Sequence, residues 1–317
     1  MELAMKILYM GTPDFAVLPL KALFDDGHEI VLVVTQPDKP KGRGHKLTPP
    51  PVKEFATEHN LCVYQPESCK TDEAFEYLKS FDADVFIVAA YGQILPQRIL
   101  DIPRYGCINI HASLLPKYRG AAPIQWSIIN GETVTGVTTM QMNAGLDTGD
   151  MLAKEEVLIE LSDTCETLHD KLGIAGVNTI RKTLEQIKSG TLSPEPQDDS
   201  LSNYAPMINK TTGYIDFSKS ADEIYNLVRA LNPYPYAQAM YEDARFKVIS
   251  AKAQDKDYNA ENGEIIDVSS DGILVSCGVG ALLITDVQFE GKKKMPVAEF
   301  IKGNEIKKGV ILKCPNL

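Results

Sequence analysis

Three short apolar runs constrain this chain more than any other feature. They are "KILYMG" (6–11), "HEIVLVVT" (28–35) and "DVFIVAA" (84–90). Each is strand-length and too uniformly apolar to keep one face wet. Strands of that kind belong to a parallel sheet covered on both sides. Helical patterns fall between them, running to about 25, then over 52–58 and 72–80, with a short strand at 62–64. Thr12 stands where an N-cap would, ahead of Pro13 in a first-turn position. Strands over 106–110, 136–142 and 151–158 and helices over 122–130 and 164–189 continue the alternation. Such a pattern makes a doubly wound, Rossmann-like α/β domain spanning 1–189.

The stretch "SGTLSPEPQDDSLSNYAP" (189–206) has little to bury and reads as an exposed connection over 190–206. Beyond it the pattern changes. One helix over 221–231 precedes short strands over 246–253, 263–269, 273–276 and 281–289, with Asp271-Gly272 as a hairpin turn. A small OB-like β-barrel over 207–317 is expected.

A chain of 317 residues has room for both domains. Its first residues lack a basic segment followed by an apolar one, and no apolar run approaches about 18 residues. A cytoplasmic protein is expected, with no membrane span and, by default, a monomer. The six cysteines form no CxxC and the five histidines do not gather near them, so no metal site is expected and the thiols should be reduced. A net charge of −11 argues against wholesale coating of nucleic acid. One segment, 36–53, runs the other way. It carries Lys39, Lys41, Arg43, Lys46 and Lys53 against the single acid Asp38. For "GKKK" (291–294), a solvated hairpin is expected.

The first βα turn, "MGTPDF", has one glycine rather than G-x-G-x-x-G, and no P-loop occurs. A nicotinamide enzyme is therefore disfavoured. In "NIHASLLPKYRG" (109–120), Asn109 and His111 are two apart on a strand and so share a face, with Ile110 on the other. They sit at the carboxyl end, where open α/β sheets place ligands. Such a pair could simply tie down a loop. In "MNAGLDTGDML" (142–152), Asp147 lies between Gly145 and Gly149, and it could simply cap a turn. Together the three are the parts of an acyl-transfer site without a nucleophilic side chain. Asn and a protonated His can donate to a developing oxyanion. His can move a proton, and Asp can orient the imidazole. The intervening "SLLPKYRGAAP" suits a flat, amide-rich ligand.

"HASLLPKYRGAAPIQW" with "MQMNAGLDTGDM" resembles the folate-dependent formyltransferase signature. "MGTPDFA", "TQPDKPKGRGHKLTPPPVK" and "NPYPYA" extend the resemblance, over nearly the whole chain, to the branch of that family that acts on methionyl-tRNA. The resemblance implies transfer of the formyl group of 10-formyltetrahydrofolate, as cosubstrate, to initiator methionyl-tRNA, without a metal. It implies catalytic roles for Asn109, His111 and Asp147. It also implies a folate-contacting turn of Ser113, Leu114, Leu115 and Pro116. The basic loop would enter the acceptor stem with Arg43, and Lys39, Lys41 and Lys46 would meet phosphates. That loop is expected to be disordered alone and ordered by tRNA. The C-terminal barrel would help hold the tRNA. Alternatives are a formyltransferase acting on a sugar nucleotide or glycinamide ribonucleotide, or a non-catalytic tRNA-binding protein.

Overall fold

A computed structural model describes residues 4–41 and 46–315. In chain order the elements are β1 (Lys6–Gly11), α1 (Val17–Asp25), β2 (Glu29–Val34), β3 (Lys39–Lys41), β4 (Lys46–Thr48), α2 (Pro51–Glu58), β5 (Val63–Tyr64), α3 (Asp72–Lys79), β6 (Val85–Ala89), α4 (Gln97–Leu100), β7 (Cys107–His111), β8 (Arg119–Gly120), α5 (Pro123–Ile129), β9 (Val134–Gln141), β10 (Met151–Leu158), α6 (Cys165–Ser189) and β11 (Tyr204–Ala205). They are followed by α7 (Ala221–Ala230), β12 (Ala237–Tyr241), β13 (Ala244–Gln254), β14 (Ile265–Ser269), β15 (Gly272–Ser276), β16 (Ala281–Phe289), β17 (Met295–Pro296) and α8 (Val297–Phe300). The chain divides into two compact units. One comprises Met1–Gly120, Val134–Leu158 and His169–Ala205; the other comprises Ala121–Thr133, Ile159–Leu168 and Pro206–Leu317.

The first unit is built on a seven-stranded sheet in the order β10-β9-β7-β6-β1-β2-β5. β5, β2, β1, β6 and β7 are parallel, and β9 runs antiparallel to both β7 and β10. The chain lays strands to one side of β1 and then crosses to β6, so the topological switch lies between those two. One face buries Leu8, Met10, Leu32, Val34, Phe86, Val88 and Cys107 in a common core. On the other face Ile110 meets α6 at Gly176, where an added Cβ would lie 3.3 Å from the isoleucine. β10 turns from buried to alternating exposure through Lys154, Glu155 and Glu156, as an edge strand should.

The first helix departs from the expected cap. It begins with a 3-10 turn at Asp14–Ala16 behind Pro13, which makes no side-chain cap. The Thr12 hydroxyl instead donates to the carbonyl of Tyr91 at 2.9 Å, tying the end of β1 to the segment after β6.

The second unit holds an antiparallel sheet in the order β12-β13-β16-β15-β14, with β17 on β16. Its two open edges are bridged by one late segment. Ile311 pairs with Glu264 beside β14, and Lys313 pairs with Met240 in β12. That closure satisfies backbone groups that an open edge would leave unpaired. It matches a small OB-like barrel around Phe246, Val248, Ile273, Val275, Leu282 and Ile284. A capping box at Ser220 and Glu223 starts α7. The Asp271-Gly272 turn joins β14 to β15 as expected. The 291–294 hairpin is exposed, as expected, and two of its lysines also lie over aromatic rings. Lys292 lies 5.0 Å from the Phe300 ring centre and Lys294 lies 4.3 Å from that of Tyr236, because long lysine stems gain by covering aromatic faces.

No helix among the described residues is long and apolar enough to cross a membrane. All six cysteines are free thiols, and four of them are buried. Burial pushes Cys277 up to about 11 and Cys165 up to about 12, which keeps them protonated and unreactive at neutral pH.

Candidate active site

On β7, Cys107 belongs to the core face, so Asn109 and His111 continue that face toward the strand's carboxyl end. Asn109 pairs with Val88 on one side and with Met140 on the other. The face of β7 that begins at buried Cys107 therefore ends, along the strand, in an amide and an imidazole. Asn109 is half-buried, and its side chain has no hydrogen-bond partner among the described residues.

His111 is 6% exposed. Its Nε2 lies 2.9 Å from the carbonyl oxygen of Tyr118. A carbonyl only accepts, so Nε2 carries a proton. Nδ1 then faces Asp147, whose Oδ2 is 3.8 Å away. That is too long for a direct hydrogen bond. The same carboxylate oxygen accepts the Gly120 N–H at 2.8 Å. The structure thus brings His111 and Asp147 together and adds which nitrogen is free to act. Nε2 is engaged by Tyr118, so donation to an oxyanion would have to come from Nδ1.

Both neighbours of the imidazole are strained. Tyr118 has φ of 59° and Asp147 has φ of 53°. A left-handed backbone at a non-glycine residue costs about 1–2 kcal/mol. Such strain persists only where the surroundings over-determine it, and it gathers at functional sites. Gly120 has φ of 112°, and a Cβ there would come within 2.8 Å of the Ala205 carbonyl oxygen. Glycine is what lets β8 and β11 pair so closely.

The turn after β7 is largely bound to itself. Ser113 is fully buried; its hydroxyl donates to the Lys117 carbonyl at 2.6 Å and its carbonyl accepts the Thr138 hydroxyl at 2.7 Å. Leu115 packs against Met140 and Met151. Its N–H donates to Thr138 Oγ1 at 3.1 Å. Both side chains are buried, and the Ser113 hydroxyl and the Leu115 N–H are already bonded within this part of the fold. Leu114 and Pro116 are half-buried and keep surface to offer a ligand.

In the basic segment, Lys39 is exposed and pairs with Thr48 across the β3–β4 ladder, while Lys41 and Lys46 are backbone partners in the same ladder. Arg43, with Gly42 and Gly44, lies outside the described residues. Lys53 is not a free cation. It bonds both oxygens of Asp38 at 2.8 Å, and Gln65 donates to the same carboxylate. The Lys53 ammonium and the Gln65 amide hold the Asp38 carboxyl below the usual range. The base of the loop is therefore pinned by its one acid.

Residues that sequence reasoning missed surround Asp147. Gln197 Nε2 donates to the carbonyls of Asp147 at 2.8 Å and Gly149 at 2.7 Å. Its Oε1 accepts from Arg119 Nε at 3.0 Å and from Nη2 at 2.8 Å. Asn203 Oδ1 accepts the Tyr118 N–H. These contacts join positions some 50 to 85 residues apart, and no local pattern announces them. Among the described residues, no group of three or more His, Cys, Asp or Glu side chains could hold a metal ion.

The second unit has a concavity of about 320 Å³, lined among others by Lys210, Tyr234, Arg245, Lys247 and Glu290. Arg245 lies 6.0 Å from the ring centre of Tyr214, and Lys247 lies 5.4 Å from that of Tyr236.

Two family models together match most of the chain. The family described as formyl transferase matches residues 5–184, and the formyl transferase C-terminal domain matches residues 207–305. A methionyl-tRNA formyltransferase of Clostridioides difficile (strain 630) is 53% identical over 308 residues, 97% of this chain and 100% of that protein. One from Acetivibrio thermocellus is 49% identical over 309 residues, 97% of this chain and 99% of that protein. Among solved structures, WlaRD, a sugar 3N-formyl transferase crystallised with dTDP and 5-N-formyl-THF, matches at a TM-score of 0.67 and 21% identity. The match covers 92% of this chain and 100% of that one, a likeness of fold.

Proposed function

The chain belongs to the formyl transferase family, in its methionyl-tRNA formyltransferase branch, and we propose that it carries the formyl group of 10-formyltetrahydrofolate to the α-amino group of methionine on initiator tRNA. The observation that carries the mechanism is the gathering of an unspent amide, Asn109, with His111 and Asp147 at the end of β7.

A free α-amine titrates near 8, and esterification of its carboxyl lowers it further, so part of it is neutral at cytoplasmic pH. Its nitrogen attacks the formyl carbon, a C–N bond forms, and the carbonyl oxygen gathers negative charge. The Asn109 amide donates to that oxygen. His111 Nδ1 and Asp147 Oδ2 are too far apart to bond each other, yet close enough for one polar atom to lie against both. The attacking nitrogen gives up its proton there. The oxyanion then collapses, the C–N bond to the folate nitrogen breaks, and that nitrogen leaves with the proton the attacking nitrogen gave up. The Tyr118 carbonyl holds the imidazole by Nε2 throughout.

Leu114 and Pro116 offer the apolar surface of the turn to the folate. The folate compound in the WlaRD crystals supports that class of donor. Lys39, Lys41, Arg43 and Lys46 meet the acceptor stem, and Arg43 is suited to reading it with a planar donor fork. We keep 1–189 as the formyl-transferring part, 190–206 as the connection and 207–317 as the part that holds tRNA. One chain supplies Asn109, His111 and Asp147, so a monomer suffices, working in the cytoplasm.

The deciding experiment offers initiator methionyl-tRNA, elongator methionyl-tRNA and glycinamide ribonucleotide to the purified protein with the formyl donor. Formylation of the first far above the other two is expected. Preference for the ribonucleotide would sink the assignment.

The concavity in the second unit combines cations with aromatic faces, which suits a nucleic-acid backbone and its bases. Neutralising it with Arg245→Gln and Lys247→Gln should weaken tRNA binding and flatten its salt dependence by about one logarithmic slope unit per cation. The KM for the formyl donor should not move. Unchanged tRNA affinity across salt concentrations would remove this surface from the tRNA path.

A further inference from the structure

Gln197 is half-buried, while its neighbours at 193–196 and 198–201 are exposed. One glutamine is thus turned inward from a stretch that otherwise faces water. Its orientation is set by its partners. Arg119 can only donate, so the amide oxygen must face the guanidinium and the NH2 must face the carbonyls of Asp147 and Gly149. Arg119 is anchored in turn by Asp199 at 2.7 Å.

The same segment reaches the other flank of the imidazole. Asn203 accepts the Tyr118 N–H with its side chain and the Arg119 N–H with its carbonyl at 3.1 Å. β11 then pairs with β8 through Tyr204↔Arg119 and Ala205↔Gly120. At its start, Glu195 exchanges two backbone hydrogen bonds with Met151 at the head of β10, each 2.8 Å. Both left-handed residues that flank His111, Tyr118 and Asp147, are therefore bonded to one passing segment. A loop that only covered a surface would not need to supply two donors to the carbonyls beside a strained aspartate.

We propose that residues 195–205 form a strap that holds Tyr118 and Asp147 about His111, with Gln197 as a positioning residue for the formyl transfer. The proposal rests on the functional reading above. Gln197 touches no reacting atom; it acts through Asp147. Without it, Asp147 relaxes away from the left-handed conformation, and its carboxylate leaves both the Gly120 N–H and the space beside Nδ1.

The test compares Gln197→Ala with Gln197→Glu. The glutamate keeps an acceptor for Arg119 but cannot donate to the two carbonyls. Both variants should lose about tenfold or more in kcat, since small misplacements at a reacting centre are costly. The KM values for donor and tRNA should stay within about twofold, because no binding contact is removed. In an Asp147→Asn background, Gln197→Ala should cost nothing more, the non-additivity of residues that act as a unit. Hydrogen exchange at the Gly120 amide should accelerate in both single variants. A Gln197→Glu variant with normal kcat would overturn the proposal. So would an additive loss in the double variant, or faster Gly120 exchange with undiminished turnover. If the unaltered protein formylates no tRNA, the functional reading fails, while the Gly120 exchange still reports whether the strap holds Asp147.

Discussion

Asn109→Ala is expected to lower kcat by about a hundredfold or more, the usual cost of removing one oxyanion donor. Tight binding of methionyl-tRNA should survive. The variant is a clean probe, because the amide has no partner among the described residues and its loss orphans nothing there. His111→Ala should cost as much in turnover. It also leaves the Tyr118 carbonyl without its 2.9 Å donor inside a buried site, so its stability should fall too. Single-turnover formylation, with tRNA affinity measured separately, distinguishes these effects. Near-normal turnover in Asn109→Ala would end its assignment as a donor.

A comparable loss is expected from a residue that touches no substrate. Gly149 packs so tightly on β9 that an added Cβ would lie 1.6 Å from the Gln141 carbonyl oxygen. Gly149→Ala must push the 142–149 loop away from the strand, and Asp147 moves with it. A displacement of about 1 Å at a catalytic group can cost about a hundredfold in rate. The Gln197 bond to the Gly149 carbonyl would be strained by the same movement. The thermal midpoint should fall modestly while kcat collapses. Full activity in a folded Gly149→Ala protein would mean that the loop has slack the structure does not suggest.

Much of the architecture was legible because it follows local rules. β1, β10 and β16 fall where apolar runs and alternation put them. Asn109 and His111 could be placed on one face because a strand's period is two. The reversed direction of β9, between β7 and β10, was not legible, since an apolar run reads alike in either direction. The burial of Ser113 and Leu115 was not legible either. A serine and a leucine in a turn look available until Thr138, Met140 and Met151 are seen beneath them. Gln197 was hidden most completely, as one polar residue in a polar stretch, with partners that only the fold brings near.

The sequence by itself determined the α/β alternation, the change to a β-rich C-terminal part, the strand that presents Asn109 and His111, and the motifs that mark the family. All of these depend on residues adjacent or periodic along the chain, where backbone geometry dictates direction. Only the tertiary structure decided which imidazole nitrogen is engaged, how far Asp147 stands from the other, and which segment holds both flanks. Those depend on hydrogen bonds between residues far apart in the chain. Their partners are chosen by packing, and a buried donor or acceptor must find one wherever the fold places it.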